Sequence, residues 1–331
     1  MSASPLISVI LPTHNRAQLI SRAIESVLRQ SYSNLELIIV DDASTDTTSE
    51  VIRKFTDPRV RYIRLDKNGR AAAARNIGIR ASLGEFVAFQ DDDDEWLPHK
   101  LERQVAALVA APADVGLILC GFRRIEPNIV WHVGGQGYVG RLDFSRYFGE
   151  GDFSLISTPN WLVRRTVLDQ VGLFDERLRS LDDWELGLRV LKACKLQHLD
   201  EELWIQYQLR PANSGMAWNE TLMLHDYPIL LEKHAAQWTR RTVADYCFHT
   251  ARMHAAQGHL AEGRRWMARS LKANPLDLKA WSFLIASYAG ERTTRLVTRS
   301  WNALARLRRR AVGLVYEHPA YRGRYEIRRP N

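Results

Sequence analysis

Four consecutive aspartates, Asp91 to Asp94, are the residues of this chain that imply chemistry most directly. They follow a short apolar run that ends at Phe89, and they precede Glu95 and Trp96. Carboxylates packed this closely repel one another, so their charges are costly without a compensating cation. Mg²⁺ and Mn²⁺ supply that compensation, because they prefer carboxylate oxygens together with substrate phosphates. A solvated acidic loop is the alternative, but the apolar residues on either side of the run favour a metal site.

Two other polar clusters follow apolar runs that resemble strands. Residues 12–15, Pro-Thr-His-Asn, close the first run, and Asp41 and Asp42 close the second. In an open parallel sheet, ligands bind beyond the carboxyl ends of the strands. A single aspartate at a strand end usually makes a turn or caps a helix. Three polar strand ends at one edge of the same sheet indicate a binding site.

The elements that would position these clusters alternate between strands and helices over the first 120 residues. Continuous apolar strands are typical of a parallel sheet covered by helices on both faces. The predicted strands are 6–12, 36–42, 60–65, 85–90 and 115–122, and the predicted helices are 17–30, a short one from about Ser44, 69–82, 100–111 and 182–194. Residues 220–290 are helical throughout. The predicted fold class is α/β, with a Rossmann-like, mostly parallel sheet flanked by helices and followed by a C-terminal helical extension.

Composition and motif content exclude several classes of protein. Of 331 residues, 46% are apolar and 25% charged, as in ordinary globular domains. No apolar stretch approaches the roughly 18 residues needed to span a bilayer, and the N-terminus lacks the basic region of a signal peptide. Cys120, Cys194 and Cys247 lie far apart, which predicts a cytoplasmic protein without a thiol-ligated metal. The chain lacks GxxxxGK(S/T) and GxGxxG motifs, so a P-loop NTPase or a dinucleotide dehydrogenase is disfavoured.

The net charge of +8 belongs to the C-terminal tail, since residues 291–331 hold eleven arginines and only three glutamates. Residues 292–315 form a two-faced pattern, with arginines on one side and Trp301 and several leucines on the other. Such a helix suits the surface of an anionic membrane, which would make the protein peripheral on the inner face of the membrane. Packing of the apolar side on the protein's own core is the alternative. Nucleic-acid binding is not expected, because no recognised module accompanies the charge.

Six blocks of the sequence resemble the family-2 glycosyltransferases, which have the GT-A fold. They occur in the family's order: SVILPTHNR (8–16), IIVDDASTD (38–46), NGRAAAARNIGI (68–79), FQDDDDEW (89–96), VGLFDERL (171–178) and DDWELGLRV (182–190). The resemblance implies a catalytic domain over 1–218, with a nucleotide-sugar-binding half over 1–120 and an acceptor-binding half over 121–218. We expect a helical hairpin over 219–290 and the basic tail over 291–331 as additions to that domain.

The resemblance implies inverting transfer of a sugar from a nucleotide-diphosphate donor, with uridine the favoured base. The acceptor would be a hydroxyl of a glycan or of a lipid-linked molecule, as in the synthesis of cell-surface polysaccharides. The residues that match the family's donor site are Pro12, Thr13 and Asn15 at the base pocket, Asp42 at the nucleobase, Arg70 at the phosphates and Asp92 near the ribose.

The resemblance also implies a divalent metal, Mn²⁺ or Mg²⁺. Asp91, Asp92 and Asp93 match the family's DxD motif, and Asp93 is the expected direct ligand, with Asp91 as a second. This chain departs from the family pattern by the preceding Gln90 and by the aspartate in the middle of the motif. The additional carboxylate leaves open which oxygen binds the metal.

A catalytic base is expected at the start of the 182–194 helix. A sugar hydroxyl is far too weakly acidic to ionise at neutral pH, so its attack needs a positioned proton acceptor. Asp183 resembles the family's base, and Asp182 is the alternative because the doubled aspartate leaves the register ambiguous by one residue. A purely structural helix cap is the other interpretation of this position.

Aromatic residues in the acceptor half could stack on sugar rings, although tryptophans at such spacing are more often core residues. The candidates are Trp161, Trp184, Trp218 and His132. The stretch from Arg210 to Ser214 resembles a segment that closes over the donor in this family.

Two other functions compete with the glycosyltransferase. A sugar nucleotidyltransferase uses a similar sheet and a metal, but it usually carries a Gly-rich basic loop after the first strand, where this chain has PTHNRAQ. A non-catalytic scaffold derived from a glycosyltransferase domain is the second alternative. The intact Asp42, Asp93 and Asp183 argue against such a decayed domain.

Overall fold

The chain divides into two units, and each is described by itself. The computed structural model describes residues 4–127, 129–134, 139–140, 157–208, 219–294, 296–297, 300 and 322–327. The first unit comprises the described residues within Met1–Leu142, Phe153–Gly215 and His318–Asn331, and the second comprises those within Met216–Glu317.

A parallel sheet forms the N-terminal part of the first unit. Its strands lie in the order β3-β2-β1-β4, where β1 is Ile7–Thr13, β2 is Leu35–Asp41, β3 is Val60–Arg64 and β4 is Phe86–Phe89. The helices between and after them are α1 (Ile20–Leu28), α2 (Thr48–Ile52), α3 (Arg70–Ala81) and α4 (Lys100–Ala110). Every residue of β1, β2 and β4 is buried, as expected for strands covered on both faces.

The remaining strands make the complete sheet mixed rather than parallel. They are β5 (Glu95–Trp96), β6 (Val115–Ile125), β7 (Ile129–Gly134), β8 (Val139–Gly140), β9 (Leu162–Arg164), β10 (Lys195–Tyr207) and β11 (Arg322–Ile327). Strand β9 lies between β4 and β6 and is antiparallel to both, so β6 runs in the direction of β4 without touching it. The helices of this part are α5 (Arg165–Val171) and α6 (Asp182–Ala193). The predicted α/β class is confirmed, and the predicted parallel order holds for β1 to β4.

The register of the parallel strands brings the predicted polar clusters to one edge. Thr13 at the end of β1 lies opposite Asp41 at the end of β2. Phe89, the last residue of β4, lies opposite Ile10, and the Gln90 N–H donates to the Ile10 carbonyl (2.9 Å). The aspartate run therefore starts beside the end of β1.

The second unit is helical. Where the sequence suggests one hairpin, its described residues within 219–290 form four α-helices: α7 (Glu220–His234), α8 (Arg240–Ala256), α9 (Leu260–Ala273) and α10 (Leu278–Tyr288). Asn219, Thr239 and Asp277 cap three of them by accepting hydrogen bonds from backbone N–H groups of the first turn. Within the described residues, a search for helices with the length and apolarity to cross a bilayer finds no candidate.

Helix α3 packs closely on the sheet through small residues. A Cβ atom added at Gly78 would lie 2.5 Å from Cγ2 of the buried Ile10 on β1. Ala74 is buried with Ile38 and Val40 of β2. This close approach explains the alanine-rich sequence of α3, and it fixes the position of the polar residues that the helix carries.

We predict that Gly78→Ala destabilises the protein by about 1–3 kcal/mol, because the added methyl group overpacks against Ile10. In an exposed helix the same change would stabilise by up to about 1 kcal/mol, so the sign is diagnostic. Urea unfolding measures the effect. In an Ile10→Ala background the cost of Gly78→Ala should shrink, and equal costs in both backgrounds would contradict the contact.

Candidate active site

The loops after β1 and β2 are fastened to each other by Asn15. Its Oδ1 accepts hydrogen bonds from the backbone N–H of Thr45 (2.7 Å) and of Asp46 (3.3 Å). Asn15 and Ala43 have φ values of 54° and 57°, in the left-handed region that non-glycine residues rarely occupy. Such backbone strain concentrates at functional sites. These bonds also explain why α2 begins at Thr48 rather than near Ser44.

Asp42 anchors the start of α3. Its two carboxylate oxygens accept hydrogen bonds from the N–H groups of Gly69 and Arg70, each at 2.7 Å. Arg70 has a φ of 70°, and its Nη2 donates to the Glu176 carbonyl (3.0 Å). Each carboxylate oxygen retains a second lone pair, so the predicted contact of Asp42 with a nucleobase stays possible and stays a prediction.

Arg75 joins two of the predicted motifs, and it was missed by the reasoning from sequence. Its Nη2 donates to Asp91 Oδ1 (2.9 Å), and its Nη1 donates to Asp182 Oδ2 (3.0 Å). The side chain is buried on α3. The aspartate run after β4 is therefore held against the first turn of α6. The signal that could have identified it is its position in the middle of α3, within the alanine-rich stretch that also contains the buried Ala72 and Ala74.

Negative charge exceeds positive charge around Arg75. Burial alone would lower the pKa of Arg75, but the carboxylates of Asp91, Asp182 and Asp183 raise it above its ordinary value. Burial and the neighbouring Asp182 raise the pKa of Asp183 to about 7, although Arg75 acts in the opposite direction. Asp183 Oδ1 also accepts a hydrogen bond from the Trp184 N–H (2.7 Å). One guanidinium thus faces three carboxylates.

The other aspartates of the run are also held inside the protein. Burial and the charge of Asp93 raise the pKa of Asp92 to about 7, while Arg16 donates to its Oδ1 from Nε (3.2 Å). Burial and Asp91 raise the pKa of Asp93. Asp94 is buried, and its Oδ1 accepts a hydrogen bond from the Tyr207 N–H (3.3 Å). The run is therefore not a solvated surface loop.

The donor set fits a divalent cation that shares its coordination with a substrate. The described residues contain no group of three or more His, Cys, Asp or Glu side chains arranged around a metal position. Mg²⁺ commonly uses one or two carboxylates and takes its other ligands from phosphates and water. Burial and neighbouring carboxylates raise the pKa values of Asp92 and Asp93, although Arg16 acts in the opposite direction on both, so a bound cation would offset negative charge in the run. Asp93 and Asp91 are the side chains that could hold the ion.

The structure does not support the two described tryptophans that the sequence offered as stacking surfaces for an acceptor sugar. Trp161 and Trp184 are buried, and the Trp161 ring packs edge-on against Phe89, with centroids 6.2 Å apart. Both are core residues, so the stacking hypothesis is wrong for them. His132 Nδ1 lies 2.9 Å from Glu202 Oε1. Trp218 and the segment from Arg210 to Ser214 lie outside the described residues.

We predict that Arg75→Met lowers the free energy of unfolding of the metal-free protein by about 3–5 kcal/mol at pH 8, because it leaves buried carboxylates unpaired. The loss should be smaller at pH 5. A carboxyl whose folded pKa is raised stabilises the protein at low pH, and this contribution is lost as the pH rises through the folded pKa. Urea unfolding at both pH values measures this.

Arg80→Met is the matched control, because Arg80 lies on the same helix with an exposed side chain. Equal losses for Arg75→Met and Arg80→Met, or a loss that does not grow with pH, would contradict the assigned charge balance.

Comparison with known proteins supports the predicted family. The sequence profile of Glycosyl transferase family 2 matches residues 8–172. Glycosyltransferase GlyG of Streptococcus pneumoniae is 33% identical over 213 residues, which cover 61% of this chain and 70% of GlyG. WcaA of Escherichia coli K12, named for colanic acid biosynthesis, is 50% identical over 103 residues, which cover 30% of this chain and 37% of WcaA.

A third relative is the Escherichia coli enzyme WfgD, a UDP-Glc:alpha-D-GlcNAc-diphosphoundecaprenol beta-1,3-glucosyltransferase. It is 39% identical over 104 residues, which cover 31% of this chain and 41% of WfgD. The matched regions thus span less than half the length of WcaA and WfgD.

Solved structures share the fold at low sequence identity. S. aureus TarS 1–349 has a TM-score of 0.62 at 17% identity, covering 94% of this chain and 93% of that one. Its complex with UDP-GlcNAc has a TM-score of 0.60 at 20% identity, with 90% and 91% covered. Mannosyltransferase PcManGT from Pyrobaculum calidifontis, in complex with GDP-Man and Mn²⁺, has a TM-score of 0.51 at 18% identity, with 92% and 81% covered. The chain belongs to glycosyl transferase family 2, a family of transferase enzymes, and it has the GT-A fold.

Proposed function

We propose that this protein transfers a sugar from a UDP-sugar to a hydroxyl of a glycan or lipid-linked acceptor, with inversion at the anomeric carbon. The observation that carries the proposal is the pair of hydrogen bonds from Arg75 to Asp91 and Asp182. They join the acidic run, where a donor diphosphate and a metal would bind, to the helix turn that carries the proposed base. The names of WcaA and WfgD support a role in cell-surface glycan synthesis.

The donor would bind along the edge formed by β1, β2 and the start of α3. Pro12, Thr13 and Asn15 are proposed to line the base pocket, and Asp42 is proposed to accept a hydrogen bond from the base. Arg70, whose backbone N–H donates to Asp42, is proposed to reach the phosphates by exchanging its guanidinium contact with the Glu176 carbonyl. The UDP-GlcNAc bound in TarS and the UDP-Glc named as the donor of WfgD support uridine. Asp92 is proposed to lie near the ribose.

Asp93 and Asp91 would hold Mn²⁺ or Mg²⁺ together with the diphosphate. When bound, the cation offsets the negative charge that builds on the departing diphosphate. The Mn²⁺ in the PcManGT complex supports this for a protein of the same fold. The buried and closely spaced carboxyl groups of the aspartate run, whose pKa values are raised by burial and by one another, support it for this chain.

Asp183 is the proposed base. Asp182 Oδ2 already accepts a hydrogen bond from Arg75, so this carboxylate is engaged in the link to the aspartate run. Burial and Asp182 raise the pKa of Asp183 to about 7, and a base works best when its pKa lies near the working pH. Asp183 takes the hydroxyl proton while the acceptor oxygen bonds to the anomeric carbon and the bond to the diphosphate breaks. Because attack and departure occur on opposite faces, one displacement inverts the centre.

We predict that Asp183→Asn lowers kcat by about 10²–10⁴-fold, because the amide cannot accept the acceptor's proton. Release of UDP from UDP-sugars by the purified chain, with an acceptor extract present, measures the loss. Asp182→Asn is the matched control and should mainly lower stability, since it removes one partner of Arg75. A near-normal kcat for Asp183→Asn together with an inactive, folded Asp182→Asn would move the base to Asp182.

We also predict that UDP with Mn²⁺ stabilises the protein against heat far more than UDP or Mn²⁺ alone. Saturation at about 100 times the Kd corresponds to about 2.7 kcal/mol. Asp93→Asn should lose the metal-dependent part, whereas Asp169→Asn, at an exposed position of α5, should keep it. A metal-dependent shift that survives in Asp93→Asn would remove this residue from the metal site.

A further inference from the structure

Helix α10 is apolar on both of its faces. Ala280, Phe283, Ala286 and Ser287 form the inner face and are buried, and the Phe283 ring contacts Phe248 of α8, with centroids 6.1 Å apart. The outer face carries large apolar side chains at spacings of three or four residues. Their exposed fractions are 77% for Leu278, 45% for Trp281, 68% for Ile285 and 75% for Tyr288, and Leu276 just before the helix is 88% exposed.

These five residues, Leu276, Leu278, Trp281, Ile285 and Tyr288, are called the α10 stripe below. A helix on the surface of a globular protein normally carries polar residues on its outer face. The adjacent α9 follows that rule, with Arg265, Arg269 and Lys272 exposed. A contiguous exposed apolar surface rimmed by polar groups indicates an interaction site. Among the described residues, the α10 stripe is therefore an exposed apolar surface of the kind that binds a partner.

Basic side chains surround the α10 stripe. The Arg264 guanidinium lies 4.8 Å from the centroid of the Tyr288 ring. Lys279 is exposed on α10 itself, and Arg240 and Arg241 line an open groove shared with Leu276 and Leu278.

The acidic residues of that groove are already engaged within the protein. Asp277 Oδ1 accepts hydrogen bonds from the N–H groups of Lys279 (2.9 Å) and Ala280 (3.3 Å) and so caps α10. Asp245 lies 3.9 Å from Arg241. The chain that follows α10, residues 291–331, adds eleven arginines against three glutamates. A partner for this surface should therefore be apolar in its interior and negatively charged at its edge.

We propose that the α10 stripe docks on the surface of an anionic lipid bilayer. Leu276, Leu278 and Ile285 would enter the boundary between head groups and acyl chains, where Trp281 and Tyr288 suit the interface. The surrounding Lys and Arg side chains would contact lipid phosphates. The proposal uses no residue of the proposed active site, so it can fail without affecting that assignment.

A second copy of the chain is the less favourable occupant. A two-fold dimer brings the same patch of both copies into one interface, so the positive charges of Arg264, Lys279 and Arg241 would be doubled there. Like charges brought together at an interface oppose association. An anionic surface reverses the sign of this interaction, and this difference in charge is the reason for choosing the bilayer.

The docking surface differs from the segment that the sequence suggested. The amphipathic pattern over 292–315 lies almost entirely outside the described residues, and membrane contact by that segment stays a prediction. Deleting everything after residue 290 would be an unsuitable test of either surface. Such a deletion removes β11, which pairs with β7 of the first unit from Arg322 to Ile327.

Sedimentation of the full-length protein with vesicles tests the proposal. Vesicles of phosphatidylcholine alone are compared with vesicles that also contain phosphatidylglycerol. The wild-type chain should sediment with the anionic vesicles, and added salt should weaken its binding. The double variant Leu278→Glu/Ile285→Glu should bind them on the order of 100-fold more weakly, since it removes two apolar side chains from the contact and adds two repelled charges.

The matched control is Leu83→Glu/Val109→Glu, which changes two exposed apolar residues of the first unit and should bind as the wild type does. Circular dichroism checks that each variant is folded. Three results would overturn the proposal: no binding by the wild type, equal binding by the α10 variant, or equal loss in the control variant. Analytical ultracentrifugation adds a fourth, a wild-type dimer that the α10 variant dissociates, which would identify a second copy as the occupant.

Discussion

One buried guanidinium surrounded by three carboxylates is the interaction on which the rest of this site depends. Arg75 bonds to Asp91 and Asp182 and interacts with Asp183 through space. It joins a strand end to a helix start that lies about ninety residues later in the chain. Burial and the neighbouring Asp182 raise the pKa of the Asp183 carboxyl to about 7, although Arg75 acts in the opposite direction. The clustered carboxylates cost stability in the free protein. The proposed function uses the same groups, as ligands of a cation and as the base that accepts a proton.

Helix α3 positions Arg75 relative to the strand ends and to α6. Its first turn is anchored by Asp42, and Arg75 follows Arg70 at a distance of about 7.5 Å along the helix axis. Gly78 allows the helix to lie directly on β1, in close contact with Ile10. Asn76 donates from Nδ2 to the Phe174 carbonyl (3.0 Å), which holds the segment before α6 in place. One helix thus connects the proposed nucleobase, metal and base positions.

The strands and the polar residues at their ends were predictable from sequence, because each depends on residues that are close together in the chain. The apolar runs predicted β1, β2 and β4 because strands buried on both faces are composed mainly of apolar residues. The polar strand ends and the doubled aspartate of α6 predicted an edge site, and the structure brings Asp91 and Asp182 to the same arginine. Arg75 itself, the insertion of β9 between β4 and β6, and the burial of Trp161 depend on contacts between distant segments. The exposure of the outer face of α10 was also not predictable from sequence, because a helix that is apolar on both faces is normally buried.

The most direct test of the central charge balance is a ¹³C NMR titration of the aspartate carboxyl groups in the metal-free protein, with Asp183→Asn used for assignment. We predict that the Asp183 carboxyl titrates near pH 7, well above the ordinary range of an aspartate, and that Mg²⁺ with UDP shifts the titrations of the acidic run to lower pH. If every aspartate titrates below about pH 5 and Mg²⁺ with UDP changes none of them, the carboxylates carry no uncompensated charge and the proposed metal and base sites have no physical basis.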